Sequence, residues 1–301
     1  MTGSPGTVLL TGAAGRIGRL LRTGLPAAGW SLRSTDIADL TPAGPQEEIA
    51  YADLADLDAV VDATRGVAAV VHLGGLSGEA AYEDIRRANI DGTYHVLEAS
   101  RRCGVRRVVI ASSNHAVGFT PRADPVPVDT RPRPDTFYGV SKVAKEALGS
   151  LYVDRYGLDV VCLRIGTQAP RPTRHRHLAS WLSDGDAIRL VLAALDAPAP
   201  GFAVVYGISA NSRAWWDLGP GRALGYHPQD DAEAYADAVD PPEPTDDLVG
   251  GDFTGPEHDL CPRSRSAPGS PMTPIPPPAP NWRPCWPRTT TRRCGTASVG
   301  P

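Results

Sequence analysis

The chain is predicted to adopt an α/β fold built on a doubly wound parallel sheet. Short runs rich in Val, Ile and Leu alternate with amphipathic stretches long enough to form crossover helices, from residue 7 to about residue 165. The runs are apolar on both faces, as expected of strands that helices cover on each side. Strands separated by such helices connect through right-handed βαβ crossovers, which place them parallel in one sheet.

The individual elements follow from these runs. Strands are predicted at Thr7–Thr11, Ser31–Asp36, Glu48–Ala52, Ala68–Leu73, Arg107–Ala111, Val160–Arg164 and Ala203–Gly207. Helices are predicted at Ile17–Ala28, Leu57–Thr64, Ala81–Arg102, Phe137–Tyr156, Asp184–Leu195 and Asp231–Asp240. Residues 1–255 are expected to form one domain, in which residues 165–255 cover the C-terminal edge of the sheet and form no separate core.

Composition excludes several classes of protein. The 301 residues are 42% hydrophobic and 21% charged, and the 5 cysteines follow no repeated spacing, which argues against a wholly disordered chain, a disulfide-stapled module and a coiled coil. A net charge of −4 predicts no nucleic-acid partner. No stretch approaches the roughly 20 apolar residues of a membrane helix, and the first residues do not resemble a leader. A cytoplasmic protein without a membrane partner is expected.

Past residue 255 the composition changes abruptly. Residues 260–301 contain 11 prolines, and residues 256–301 carry 6 arginines against Glu257 and Asp259. Such a segment buries too little apolar surface to offset its conformational entropy, so 256–301 is predicted to be a disordered tail. It is either a docking tail recognised through its prolines or a non-functional extension, such as a shifted reading frame would produce. Its cysteines lack metal-ligand spacing, and no metal is predicted.

A glycine-rich loop follows the first predicted strand. Residues 11–18 read T-G-A-A-G-R-I-G and open a predicted helix. Gly12 permits the tight turn, Gly15 lets the backbone approach a pyrophosphate, and Gly18 allows the helix to pack closely on the strand. The helix N-terminus then offers its amides and the positive end of its dipole to phosphates. The loop therefore predicts a dinucleotide site of the Rossmann type.

An acidic residue ends the second predicted strand. Asp36 lies 21 residues after Gly15, where a carboxylate accepts hydrogen bonds from ribose hydroxyls. The same charge would repel a 2′-phosphate, which favours NAD over NADP, and Arg33 is discounted because it precedes the acid. Asp53 and Leu54 follow the third strand and are either adenine contacts or part of an exposed loop. NAD is the predicted cofactor.

A phenol and an ammonium lie four residues apart in the helix predicted at Phe137–Tyr156. On a helix the side chains of Tyr138 and Lys142 share one face, and the ammonium favours the phenolate, which can then act as a base. The pair is also compatible with an ordinary helical contact. Lys142 is one of only two lysines in a chain with 30 Lys and Arg together. Ser113 follows a predicted strand and supplies a hydroxyl at the edge where α/β sheets bind ligands.

In this order the motifs resemble those of the extended short-chain dehydrogenase/reductase superfamily, a group with the Rossmann fold. Within it the chain is most similar to the NAD-dependent uronate dehydrogenases, up to about residue 255. The matching segments are Thr11–Gly18, Asp36, Asp53-Leu54, Val71–Ser77, Asn89, Ala111–His115, Tyr138…Lys142, Leu163–Gly166 and Trp215–Asp217.

The resemblance implies an activity and assigns roles to residues. Tyr138 would take the proton from the anomeric hydroxyl of a cyclic hexuronic acid, glucuronate or galacturonate. Ser113 would hold that hydroxyl, and Lys142 would support the tyrosine and position the ribose. Hydride would pass from C1 to NAD and leave an aldarolactone. Implied cofactor contacts are Gly12, Gly15, Arg16, Ile17, Gly18, Asp36, Asp53, Leu54, Leu73, Gly74, Gly75, Asn89, Lys142 and Ile165.

The sugar acid would be bound by a further set of residues. Ser77, Asn114 and His115 would contact hydroxyls, Thr167 stands where the family commonly has Ser, and Arg176 would clamp the carboxylate. Arg174 is an alternative for the clamp. The family also implies a homo-oligomer paired through the helices at Ala81–Arg102 and Phe137–Tyr156.

Two other functions remain compatible with the sequence. A nucleotide-sugar epimerase or dehydratase of the same superfamily would keep the cofactor, although it generally needs a larger substrate domain than residues 165–255. A non-catalytic NAD-binding sensor would have no need of the Ser113–Tyr138–Lys142 set. His72 is expected to be a satisfied strand residue, and Trp215 and Trp216 to be hydrophobic cover near the substrate.

Overall fold

A computed structural model describes residues 6–122, 125–242 and 247–258 of the chain. Its main sheet has seven parallel strands in the order β3-β2-β1-β4-β5-β6-β9. The strands of the whole structure are β1 Thr7–Thr11, β2 Ser31–Thr35, β3 Glu47–Ile49, β4 Ala69–His72, β5 Arg107–Ser113, β6 Asp159–Ile165, β7 Thr167–Gln168, β8 Trp181–Leu182 and β9 Phe202–Gly207. The first six strands follow the doubly wound order, so the predicted fold class is confirmed.

Helices cover both faces of this sheet. The α-helices are α1 Arg16–Ala27, α2 Leu57–Thr64, α3 Tyr82–Ile85, α4 Gly92–Cys103, α5 Phe137–Tyr156, α6 His177–Ser180, α7 Asp184–Asp196 and α8 Gly219–Ala223. A π-helical turn at Arg86–Asp91 joins α3 to α4, and 3₁₀ turns occur at Asn114–Val117, Ala232–Ala238, Gly251–Thr254 and Pro256–His258. Residues 259–301, which include most of the predicted tail, lie outside the described residues.

Alternate side chains of β1 enter two separate cores. Val8 and Leu10 pack with Leu21 and other residues of α1 and α7 on one face. Leu9 packs on the other face with side chains of α2 and α4, among them Val60. Each of these strand side chains is fully buried. Apolar residues at all three central positions of the strand are therefore required, because the sheet has no solvent-exposed face here.

The segment after β6 extends the first of these cores. Leu182, Ile208, Trp215 and Trp216 belong to the same buried cluster as Val8. A small additional cluster is formed by Leu178, Trp181 and Ala232. The two-residue strands β7 and β8 pair in parallel beside the carboxyl edge of the main sheet.

The structure differs from three of the predicted elements. The helix predicted at Ala81–Arg102 is interrupted by the π-helical turn, which buries the Asn89 side chain against a neighbouring loop. The helix predicted at Asp231–Asp240 is a 3₁₀ turn at Ala232–Ala238, which Asp231 caps through the Glu233 amide and which ends before Pro241. The third strand ends at Ile49 rather than Ala52, and other element ends differ by one or two residues.

Candidate active site

A large cavity opens at the carboxyl ends of the strands. Its volume is about 1110 Å³, and loops after β1, β2, β4, β5 and β6 form its wall. This is the position at which open α/β sheets bind ligands. The sequence-predicted residues that line it are Gly12, Gly15, Arg16, Ile17, Gly18, Asp36, Asp53, Leu54, Leu73, Gly74, Gly75, Ser77, Ser113, Tyr138, Lys142 and Ile165.

The glycine loop is built for close backbone approach. Gly12 has a φ of +72°, which favours glycine, and a Cβ there would lie 2.7 Å from the Gly74 nitrogen. A Cβ on Gly18 would lie 2.3 Å from the Gly12 oxygen. Gly15 is the N-cap of α1, and because it has no side chain it leaves the first amides of the helix uncapped. The first amides of the helix therefore face the cavity as a site for phosphate, which fits a dinucleotide.

The acidic residue at the end of β2 ties the strand to this loop. Asp36 accepts hydrogen bonds from the amides of Ala14 at 2.9 Å and Ala38 at 3.1 Å. Arg33 turns away from the cavity, since its guanidinium binds the carboxylate of Glu48 and the Ala63 carbonyl. Arg33 therefore places no positive charge beside Asp36 that could bind a 2′-phosphate, in agreement with NAD as the cofactor.

The predicted catalytic residues meet at the mouth of the cavity. Ser113 ends β5, whereas Tyr138 and Lys142 lie in the first two turns of α5, and all three are buried. The Lys142 ammonium donates to the Ala111 carbonyl at 3.0 Å and lies 4.9 Å from the centre of the Tyr138 ring. The Ser113 hydroxyl contacts Asn114 Oδ1 at 3.3 Å. A phenol, a hydroxyl and a cation are therefore gathered where a proton can be removed.

Asn89 lies behind the wall of the cavity. Its amide binds both backbone groups of Leu76, at 2.7 and 3.1 Å, and donates to the Ser141 hydroxyl at 2.9 Å. The residue was predicted as a cofactor contact, which stays a prediction, and in this structure it holds the cavity loop. Both hydrogens of its amide nitrogen are used within the protein.

The other predicted sugar contacts do not line the cavity, and two of them bind the segment 247–258 instead. Asn114 donates to the Val249 carbonyl at 2.9 Å, and Arg176 donates to the carbonyls of Leu248 and Val249. Thr167 shares a hydrogen bond of 2.9 Å with Ser180. The C-terminal described segment therefore lies directly over this end of the site.

His115 is held by a buried carboxylate and by an aromatic ring. Its Nδ1 lies 2.6 Å from Asp135 Oδ2, and its ring stacks on Phe253 with centroids 4.2 Å apart. The same histidine meets the edge of Tyr138 at 5.7 Å between centroids. Sequence reasoning did not find Asp135 or Phe253, because both contacts join residues far apart in the chain.

Arg174, the alternative carboxylate ligand, forms an ion pair with Asp252. Trp215 and Trp216 stack at 3.8 Å, and the Arg176 guanidinium lies 5.9 Å from the ring centre of each. The tryptophans are buried and back the arginine, as cover rather than cavity lining.

The second lysine of the chain is buried beneath the site. Lys145 is fully buried on α5 and donates to the Gly74 carbonyl at 3.2 Å. Burial, together with the nearby Lys142, holds the pKa of Lys145 well below its ordinary value. His72 is also fully buried and is bonded to the hydroxyls of Thr11 and Thr93 at 2.8 and 2.9 Å, as expected of a satisfied strand residue.

A buried ion pair supports the strand that carries Ser113. Glu146 receives two hydrogen bonds from Arg164, at 2.9 and 2.8 Å, and one from Ser112 at 2.6 Å. Bidentate pairing satisfies both ions away from water. Within the described chain, no helix is long and apolar enough to cross a membrane, and no cluster of three metal-ligating side chains occurs.

The fold and site define the class of the protein. Residues 8–201 match the model of the NAD dependent epimerase/dehydratase family, and the chain belongs to that family. Its Rossmann-type sheet, glycine loop and tyrosine–lysine pair are the features by which the sequence was assigned to the same superfamily.

Relatives narrow the class to the uronate dehydrogenases. The chain is 45% identical to a uronate dehydrogenase from Pseudomonas syringae pv. tomato over 80% of this chain and 88% of that protein. Crystal structures of a uronate dehydrogenase from Agrobacterium tumefaciens, as a tyrosine-to-alanine mutant complexed with NAD, and of a glucuronic acid dehydrogenase from Chromohalobacter salexigens are each 40% identical. Each covers 82% of this chain and 96% of its own, with a TM-score of 0.78. The predicted resemblance to this group is confirmed.

Proposed function

We propose that this protein oxidises a hexuronic acid at C1, with glucuronate or galacturonate as substrate, and releases the aldarolactone. NAD, when it is bound, is the hydride acceptor. The observation that carries the proposal is the convergence of Ser113, Tyr138 and Lys142 at the mouth of the cavity. The uronate dehydrogenase relatives support it.

The residues around the cavity have distinct tasks in this proposal. The glycine loop and the N-terminus of α1 would hold the pyrophosphate, and Asp36 would bind the adenosine ribose. Tyr138 accepts the proton of the anomeric hydroxyl, which Ser113 orients. The Lys142 ammonium lies 4.9 Å from the centre of the Tyr138 ring, which brings its positive charge close to the phenol. Together these groups align C1 for hydride transfer and remove the proton of its hydroxyl.

We assign the recognition of the sugar acid to the region beneath residues 247–258. Ser77 lines the cavity beside the catalytic residues. Arg176 is proposed to bind the substrate carboxylate through its planar guanidinium, with Asn114, His115 and Thr167 nearby for hydroxyls. The buried Asp135 orients the ring of His115 for this purpose.

Absorbance of NADH tests the proposal directly. The purified protein is mixed with NAD and with glucuronate, galacturonate or glucose in separate reactions. A rise with either sugar acid and none with glucose at the same concentration supports C1 oxidation that depends on the carboxylate. NAD binding without a rise favours a nucleotide-sugar epimerase or a sensor, and activity on a nucleotide sugar then separates those two.

We also propose that the protein is a cytoplasmic homo-oligomer. Large apolar side chains are exposed along α4 and α5, among them Tyr94, Val140, Leu151 and Tyr156. Two copies that pair these helices would cover such a face. A cytoplasmic site of action would supply the pool of NAD that continued turnover requires. Light scattering on the Leu151→Glu variant tests the pairing, since a mass unchanged from that of the parent protein contradicts it.

A further inference from the structure

We propose that Glu79 is a positioning residue that couples the loop carrying Ser77 to the helix carrying Tyr138. The inference rests on the proposed function, in which both residues face the sugar acid. One carboxylate, that of Glu79, joins two segments of the chain that are 59 residues apart. The Glu79 side chain makes these hydrogen bonds to backbone amides, so they fix the path of the chain itself.

The loop between β4 and α3 is held at its start by Asn89. That amide donates to the Leu76 carbonyl and accepts from the Leu76 nitrogen, which leaves the following residues to be fixed separately. Ser77 is exposed at the cavity. Among the described residues, Glu79 provides the side-chain hydrogen bonds that attach positions 77–81 to the rest of the protein.

The first turn of α5 needs an external acceptor. Its N-cap, Thr136, uses its hydroxyl for the Gly139 amide at 3.0 Å. The amides of Phe137 and Tyr138 are instead bound by Glu79, at 3.2 Å through Oε1 and 2.7 Å through Oε2. A carboxylate at a helix N-terminus is further stabilised by the dipole. Both oxygens are in use, so the geometry requires an acid and not an amide.

The consequence concerns the distance between two site residues. Glu79 binds the backbone nitrogen of Tyr138 itself, and Ser77 lies only two residues before Glu79 in the chain. The edge contact between Tyr82 and Phe137, with centroids 5.3 Å apart, supports the same junction. Loss of the carboxylate would let the Ser77 loop move relative to the phenol. Displacements of about 1 Å in such sites lower rates on the order of 100-fold.

Kinetics of Glu79→Gln and Glu79→Ala test the role, with Glu83→Gln as the matched control. Glu83 lies one helical turn further on, is exposed and pairs with Arg86. We expect kcat/KM for the uronic acid to fall on the order of 10- to 100-fold in both Glu79 variants. The dissociation constant for NAD should stay within about twofold, because Asn89 still holds Leu76 and the glycine loop is untouched. Glu79→Asp should recover part of the loss.

Two results overturn the proposal. A kcat/KM equal to that of the parent protein, with only a lower melting temperature, would mean that Glu79 acts only as a helix cap. Equal losses in NAD affinity and sugar affinity would indicate general damage to the site. If the parent protein shows no turnover, hydrogen exchange decides the question independently: the proposal requires faster exchange in residues 76–81 and 137–139 of Glu79→Gln, and unchanged exchange there contradicts it.

Discussion

The ammonium of Lys142 lies 4.9 Å from the centre of the Tyr138 ring while it donates to the Ala111 carbonyl at 3.0 Å. One end of α5 is thereby attached to β5 two residues before Ser113, the last residue of that strand. The hydrogen bond to the Ala111 carbonyl holds the Lys142 ammonium in place, so its position beside the Tyr138 ring is fixed. In the proposed function, this phenol is the group on which proton transfer depends.

Tyr138→Phe should therefore lower kcat by roughly 10²- to 10⁴-fold, the usual contribution of a positioned acid or base. Removal of one hydroxyl leaves the glycine loop and Asp36 intact, so NAD binding should be nearly unchanged. Stopped-flow turnover and titration with NAD measure the two quantities. Tyr94→Phe, at an exposed tyrosine on α4, is the control. Loss of NAD affinity in Tyr138→Phe would mean that the phenol is structural.

Arg176→Ala should raise the KM for the sugar acid on the order of 10- to 100-fold, the cost of a lost charge-assisted hydrogen bond. Arg176 also donates to the Leu248 and Val249 carbonyls, so the variant must be assayed on glucose or galactose at high concentration as well. A loss confined to the sugar acid identifies the carboxylate clamp.

Arg171→Ala supplies the comparison for this experiment, since Arg171 is exposed in the same basic stretch. It should behave as the parent protein does. An equal loss on acid and neutral sugars in Arg176→Ala would show that the arginine anchors residues 247–258 and that the carboxylate is bound elsewhere.

Asp36→Ala should reduce the preference for NAD over NADP on the order of 10-fold or more. The carboxylate that would repel a 2′-phosphate is removed, while Arg33 remains bound to Glu48 and the Ala63 carbonyl. The ratio of kcat/KM for the two cofactors is the measurement, and Asp39→Ala at a nearby exposed position is the control. An unaltered ratio would contradict the assigned role.

The parts of the site that sequence analysis predicted depend on local chemistry. The glycine loop needs only neighbours in the chain to adopt its turn, and Tyr138 and Lys142 share a helix face by their spacing. Glu79, Asp135 and Phe253 had no such signal. Each acquires its function from a contact across the fold, and an isolated acid or aromatic residue in sequence has no feature that predicts it.

The same reasoning explains the errors in the secondary structure. The apolar period of Ala81–Arg102 is compatible with one continuous helix. The π-helical turn at Arg86–Asp91 interrupts it where Asn89 is fully buried with three hydrogen-bond partners. Tertiary contacts therefore override the local pattern at the point where the cavity loop is fixed. Sequence reasoning placed Asn89 in the site through a resemblance, but its contacts are visible only in the folded chain.

His72 should make the protein less stable in acid. Burial, followed by the charges of Lys145 and Lys142, holds the pKa of His72 well below 6.5. The histidine therefore stays neutral in the folded state but takes up a proton in the unfolded state below about pH 6.5, so stability falls as the pH falls through that value.

Urea unfolding at pH 7.5 and pH 5.0 measures this effect. His72 should contribute to the loss between the two pH values, because the unfolded state binds its proton in that range and the folded state resists doing so. His72→Gln removes the titrating ring, so its free energy of unfolding should depend less on pH, although the lost hydrogen bonds to Thr11 and Thr93 lower its stability at both. His227→Gln changes an exposed histidine and should retain the full dependence of the parent protein. If His72→Gln loses as much stability in acid as the parent protein, other groups are responsible for the acid sensitivity.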